Sequence, residues 1–171
     1  MKPIEVIEHK GCKIKIFPDD DIFSDDDPTS PREYDNLGFI VCWHRKYNLS
    51  DKDLPFSHRL DIDQFLEWCE DPENGVVAKL PIYLYDHSGI TISTGRFSCP
   101  WDSGQAGWIF TTKEQIKKIG LVDYTSEQIL ENLASEVKEY DNYLTGGYVG
   151  YIIEDDAGEE VDSCWGFSDK D

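Results

Sequence analysis

Two-residue alternation of apolar and polar positions recurs along this chain. Ile82 and Leu84, then Ile90 and Ile92, alternate with Tyr83, Tyr85, Thr91 and Ser93 on either side of Asp86-His87-Ser88-Gly89, and this predicts a central β-hairpin. After Arg96 the string FSCPWDSGQAGWIF crowds Cys99, Pro100, Trp101, Asp102, Gln105 and two glycines into a shaped turn, and predicts re-entry into a strand at Trp108. An opening hairpin is predicted by Ile4 and Val6, then Cys12, Ile14 and Ile16, around His9-Lys10-Gly11. Phe39 to Trp43 reads as a short buried strand. The closing run YVGYIIEDDAGEEVDSCWGF reads as a terminal hairpin, with Gly158 where a turn needs positive φ.

Helical spacing appears in three places. Asp61 caps Ile62, Phe65, Leu66 and Cys69, with Gln64 as its capping-box partner, until Asp71-Pro72 stops the helix. Thr112 with Gln115 opens a helix of two turns that ends at Gly120. Thr125 with Gln128 opens a long helix whose expected apolar stripe is Leu130, Leu133, Val137, Tyr140 and Leu144, closed by Gly146-Gly147. Hairpins interrupted by helices do not follow the βαβα rhythm of a parallel sheet. The expected class is α+β: a mainly antiparallel β-sheet built from hairpins, with two to three helices packed on one face. The 171 residues fit one domain, spanning 1–171, with a mobile acidic loop at about residues 18–35 where aspartates and prolines replace apolar residues.

Charge changes this picture most. Thirty-five acidic against 16 basic residues give a formal net charge of -19, which excludes direct nucleic-acid binding through phosphates. Residues 123–171 hold fourteen acids and two bases, whereas 76–122 hold three acids and five bases, so the motif-rich centre is the less acidic part. Five scattered cysteines, odd in number and without a Cys-x-x-Cys pair, argue against both a disulfide framework and a zinc site, and no cofactor or metal is expected. Neither aspartate run has the spacing of a calcium loop, and no Gly-Lys-Ser/Thr follows the glycines. No membrane partner is expected, because the N-terminus lacks the order of a signal peptide and no apolar run reaches the roughly 20 residues of a membrane span. The expected setting is cytoplasmic.

The strings IVCWHRKYNLSDK, LPIYLYDHSGITISTGRFSCPWDSGQAGWIF, EVKEYDNYLTGGYVGYIIED and DSCWGF resemble a family of small uncharacterised proteins of bacteriophages and bacterial mobile elements. The resemblance covers most of residues 37–167. It implies a bacterial host cytoplasm and favours anti-defence roles of the anti-CRISPR or anti-restriction type. It supplies no catalytic residue.

Two chemistries follow from the residues. Carboxylates at Asp25, Asp26, Asp27, Glu127, Glu131, Glu154, Asp155, Asp156, Glu159 and Glu160 form a candidate DNA-mimicking surface for a basic protein of a bacterial defence system, such as a CRISPR effector or restriction enzyme. The bland counterpart is an acidic surface that only solubilises. Within the same non-enzymatic class, Trp101 and Trp108 are an alternative hot spot, although both are also expected to be buried scaffolding. The enzymatic alternative is a cysteine hydrolase using Cys99, His87 and Asp102, since a thiolate needs a base and the base an orienter. Against it, Cys99 before Pro100 can fill a tight corner, with Asp102 capping the turn.

Overall fold

The computed structural model describes residues 2–18 and 30–168. Eight strands run in chain order: β1 Glu5–His9, β2 Cys12–Pro18, β3 Phe39–Cys42, β4 Val76–Asp86, β5 Ile90–Ser93, β6 Ser103–Thr112, β7 Tyr148–Glu154 and β8 Glu160–Ser168. Three α-helices join them among the described residues: α1 Ile62–Glu70, α2 Lys113–Lys118 and α3 Ser126–Leu144. All strand pairs are antiparallel and fall into two four-stranded sheets, so the fold is α+β. The chain divides into two compact units, one from residues 31–141 and one from 1–30 with 142–171.

The central unit holds the sheet of order β3-β6-β4-β5. Neighbouring residues of a strand face opposite sides, and β6 uses both: Ile109 and Phe110 are each fully buried. Phe110 gathers Phe39, Phe56, Phe65 and Trp68 at ring separations of 5.2–6.4 Å, a cluster completed by Val41 and Leu60 under α1. On the other face Ile109 lies beside Leu133 of α3, since a Cβ added at Gly38 would strike both side chains at 2.6 Å. Helices therefore cover both faces of this sheet rather than one. The stripe that α3 buries is Ile129, Leu133, Val137 and Tyr140, while Leu130 is 39% exposed. Leu133, Val137 and Tyr140 of the expected stripe are buried, and the correction is at its head, where Ile129 takes the place of Leu130.

Local chemistry sets the element ends. Asp61 and Gln64 exchange side-chain and backbone hydrogen bonds at 2.9 and 3.0 Å, and Thr125 and Gln128 do the same at 3.2 and 2.9 Å. Thr112 caps α2 through the Gln115 amide. β4 begins earlier than the alternation suggests, at Val76, and carries Pro81 opposite Trp108 in its interior; β6 begins at Ser103, five residues before Trp108. Gly107 has a steric reason to be glycine, because a Cβ there would lie 2.0 Å from the Val41 carbonyl oxygen.

The terminal unit holds the second sheet, of order β1-β2-β7-β8. Lys10 and Gly11, both at positive φ, make the two-residue turn between β1 and β2. Trp165 of β8 lies over Gly150 of β7, where a Cβ would come within 2.0 Å of the indole, and its ring centroid is 6.2 Å from that of buried Phe17. Tyr151 and Phe167 stack at 5.7 Å.

Candidate functional site

The end of the central sheet where β4 meets the turn before β6 brings together most of the chemistry-bearing side chains of the CPWDSGQ string. Asp102 is its hub. Its carbonyl accepts from the Asp86 amide at 2.9 Å, tying the turn to β4, and its Oδ2 faces Cys99 Sγ at 3.7 Å and His87 Nδ1 at 3.6 Å. Ser103 Oγ donates to the Cys99 carbonyl at 2.5 Å, which closes the turn from inside. Around it, Tyr85 lies between His87 and Phe97 at ring separations of 5.9 and 5.7 Å. Arg96 bonds the Tyr83 hydroxyl at 3.1 Å and sits over its ring. Lys46 Nζ and Tyr47 Oη both donate to Asp86, at 3.1 and 3.0 Å, and the Lys46 bond above all holds the Asp86 carboxyl below the usual carboxylate range.

Cys99, His87 and Asp102 are thus neighbours, but in the order thiol, carboxylate, imidazole. A cysteine hydrolase needs the imidazole between the other two, so that the base reaches the nucleophile. No hydrogen bond joins Cys99 and His87, and His87 and Asp102 are exposed to water. The arrangement does what a turn requires: one carboxylate gathers the polar groups of two adjoining loops.

Trp101 corrects the expectation of burial, since it is 91% exposed. Burial of Trp108 holds in part: it is half-buried, packs against the Phe110 cluster and has Lys79 Nζ 5.5 Å from its ring centroid. The difference is one of place. Trp108 is in a strand that two neighbours cover, whereas Trp101 occupies a turn whose polar groups bond to one another and leave the indole outside.

The carboxylates of the acidic reading fall on separate elements. Glu127 and Glu131 are one turn apart on α3 and both exposed. In the terminal hairpin, Asp155 Oδ1 accepts from the amides of Ala157 and Glu159 at 2.8 and 3.0 Å, so it shapes the loop. Glu154 pairs with Lys15 at 2.5 Å, and Glu160 accepts from Ser163 Oγ at 2.8 Å. Asp156 and Glu159, with Glu127 and Glu131, are exposed and make no salt bridge among the described residues. Asp25, Asp26 and Asp27 lie outside the described residues. Among the described residues no group of three His, Cys, Asp or Glu side chains is placed to hold a metal ion, and no helix is long and apolar enough to cross a membrane.

Periodicity gave no hint of a buried ionic knot in the central unit. Arg32 Nε and Nη2 clasp both oxygens of Asp51 at 2.9 and 2.6 Å, and Nη1 reaches Glu136 of α3 at 3.1 Å. Glu136 also accepts from the Leu37 and Gly38 amides at 2.6 and 3.0 Å, and Asp51 from the Ile40 amide at 2.7 Å. Burial, the largest influence, lifts the Glu136 carboxyl above its usual range although Arg32 and the two amides pull it down. Burial opposes the Arg32 charge too, yet Asp51 and Glu136 together hold it firmly protonated. The only sequence signal was an arginine between acids.

Fold and site define an acidic α+β protein of two antiparallel sheets with a solvent-facing tryptophan turn. Set against protein-family models, curated proteins and solved structures, the chain matches none.

Proposed function

We propose that this is a non-enzymatic binding protein of the anti-defence type, which occupies the basic nucleic-acid channel of a bacterial CRISPR effector or restriction enzyme through its carboxylates. The observation that carries the reading is the set of exposed acids free of salt bridges among the described residues, Glu127, Glu131, Asp156 and Glu159, held on a capped helix and a hydrogen-bonded loop in a chain of net charge -19. Carboxylates one helical turn apart are spaced by roughly 6 Å along the axis, sparser than duplex phosphate but rigid. The mobile-element resemblance supplies the setting. Titration of the protein against a purified CRISPR effector and a purified restriction enzyme at rising salt tests it: affinity is expected to fall steeply with salt, and to fall again when all four residues become amides. Salt-independent binding, or full affinity of the amide variant, overturns the electrostatic reading.

A second reading rests on Trp101. An exposed indole on a hydrogen-bonded turn has the character of an interface anchor, and Phe97, Tyr85 and Arg96, at the same end of the sheet, are of the residue types such anchors favour. In that case Trp101→Ala abolishes binding while the amide variant retains it.

A further inference from the structure

Among the described residues, two of the four sheet edges are capped and a third is interrupted, each by a different device. The β3 edge is occupied by the loop that follows it, since Asp51 and Ser50 side chains accept from the Ile40 and Cys42 amides at 2.7 and 2.9 Å and the Asp51 amide donates to the Ile40 carbonyl. The four-residue β5 is capped by Asp141, which accepts from the Ile92 amide at 2.7 Å and from Thr91 Oγ1 at 2.5 Å. On β8 the ladder with β7 shifts register twice, and Gly166 at φ 83° kinks the strand beside Trp165. Such capping and kinking are how proteins keep an edge from recruiting another strand.

Among the described residues, the β1 edge has none of them. All five residues from Glu5 to His9 are exposed, and the register with β2 runs unbroken from Glu5 opposite Ile16 to His9 opposite Cys12. No proline or lysine interrupts the strand. Apolar side chains stand out on both faces: Ile4 is 62%, Val6 51% and Ile7 41% exposed. A straight, apolar, uncapped edge is a template for one more strand.

We propose that the missing strand is β1 of a second copy, paired antiparallel about a two-fold axis at Ile7. The sequence of the edge is self-complementary in one register. With Ile7 opposite itself all five residues pair, and Glu5 falls opposite His9 at both ends. A slip of one residue toward the N-terminus instead sets Glu5 against Glu8. Charge placement also permits the approach in a chain of this acidity. Residues 1–18 carry Lys2, Lys10, Lys13 and Lys15 against Glu5 and Glu8, a balance of +2, while among the described residues the other acids of the terminal unit lie on β7, β8 and the loop between them, whose Asp156 reaches the β1–β2 turn beside Gly11 rather than the free β1 edge. In the eight-stranded sheet that results, the two β7 strands stand about 24 Å apart, well beyond a Debye length at physiological salt. The two acidic hairpin tips then point in opposite directions, because each lies at the same end as its own β1–β2 turn. The bulged and kinked β8 edges are poor templates for a further strand, so growth stops at two copies.

Sedimentation of the full chain over a wide range of concentration reads this directly. The mass is expected to rise from one copy to two and no further, with tighter dimers at higher salt, because the overall repulsion between two copies of charge -19 is screened. Ile7→Lys, at an exposed position that leaves the fold intact by circular dichroism, is expected to give monomers. Glu5→Lys and His9→Glu should each weaken dimerisation, roughly tenfold, since two symmetry-related cross-strand pairs are disturbed at once, and the double variant should restore it. A chain that stays monomeric at every concentration, including one whose edge takes up another protein's strand, overturns self-pairing. So does a dimer indifferent to Ile7→Lys, and failure of the double variant to rescue overturns the register.

Discussion

Half-buried Cys69 on α1 has its thiol pushed up to about 11 by burial, with the Lys79 ammonium pulling the other way. At pH 8 it stays protonated, whereas Cys164 is exposed on β8. Alkylation of the native protein followed by peptide mapping should therefore consume Cys164 early and leave Cys69 until the chain unfolds. The shift has a defined sign for stability. An unfolded thiol ionises near 9.0 and the folded one near 11, so this contribution is complete below about pH 9 and is lost as pH rises toward 11. Cys69→Ala should flatten that part of the alkaline unfolding profile. The two aromatic extremes separate just as sharply: Trp101→Ala should change stability by no more than about 0.5 kcal/mol, whereas Phe110→Ala, at the hub of four rings, should cost about 3–5 kcal/mol by urea denaturation.

At the scale of elements, the Arg32 knot ties the segment before β3, the loop after it and α3 into one unit. Its three side chains are 7–14% exposed, and removing the cation alone leaves two buried carboxylates facing each other. Arg32→Met should cost about 3–5 kcal/mol at pH 8, measured by chemical denaturation. That loss should shrink as pH falls through the carboxylate range, because without Arg32 the acids can relieve the penalty by taking up protons. The sequence announced the elements themselves well. Capping pairs Asp61/Gln64 and Thr125/Gln128 are local, so three or four residues suffice to read them. The knot was illegible because its members are separated by 19 and 104 positions, and only the fold brings them together.

For the whole molecule, 19 uncompensated negative charges repel one another in the compact state. The melting temperature should rise when salt is increased from very low to physiological concentration, by scanning calorimetry, since exposed carboxylates such as Glu127 and Asp156 gain from screening and have no salt bridge among the described residues to lose. A melting temperature that falls with salt would mean that favourable pairs, such as Lys15 with Glu154 and Lys52 with Glu33, outweigh the repulsion.

What is local or summed was legible in the chain alone: hairpin turns at Lys10-Gly11 and Ser88-Gly89, helix caps, the α+β class and the net charge. Alternation alone marked which strand residues share a face. The tertiary fold settled that the strands form two sheets, that Ile129 rather than Leu130 heads the buried stripe of α3, and that Trp101 stands in water while Trp108 is half-buried. It also decided that Asp102 sits between Cys99 and His87. Each of these depends on which distant segment covers a residue, and a period of two or of 3.6 carries no information about the partner on the other side.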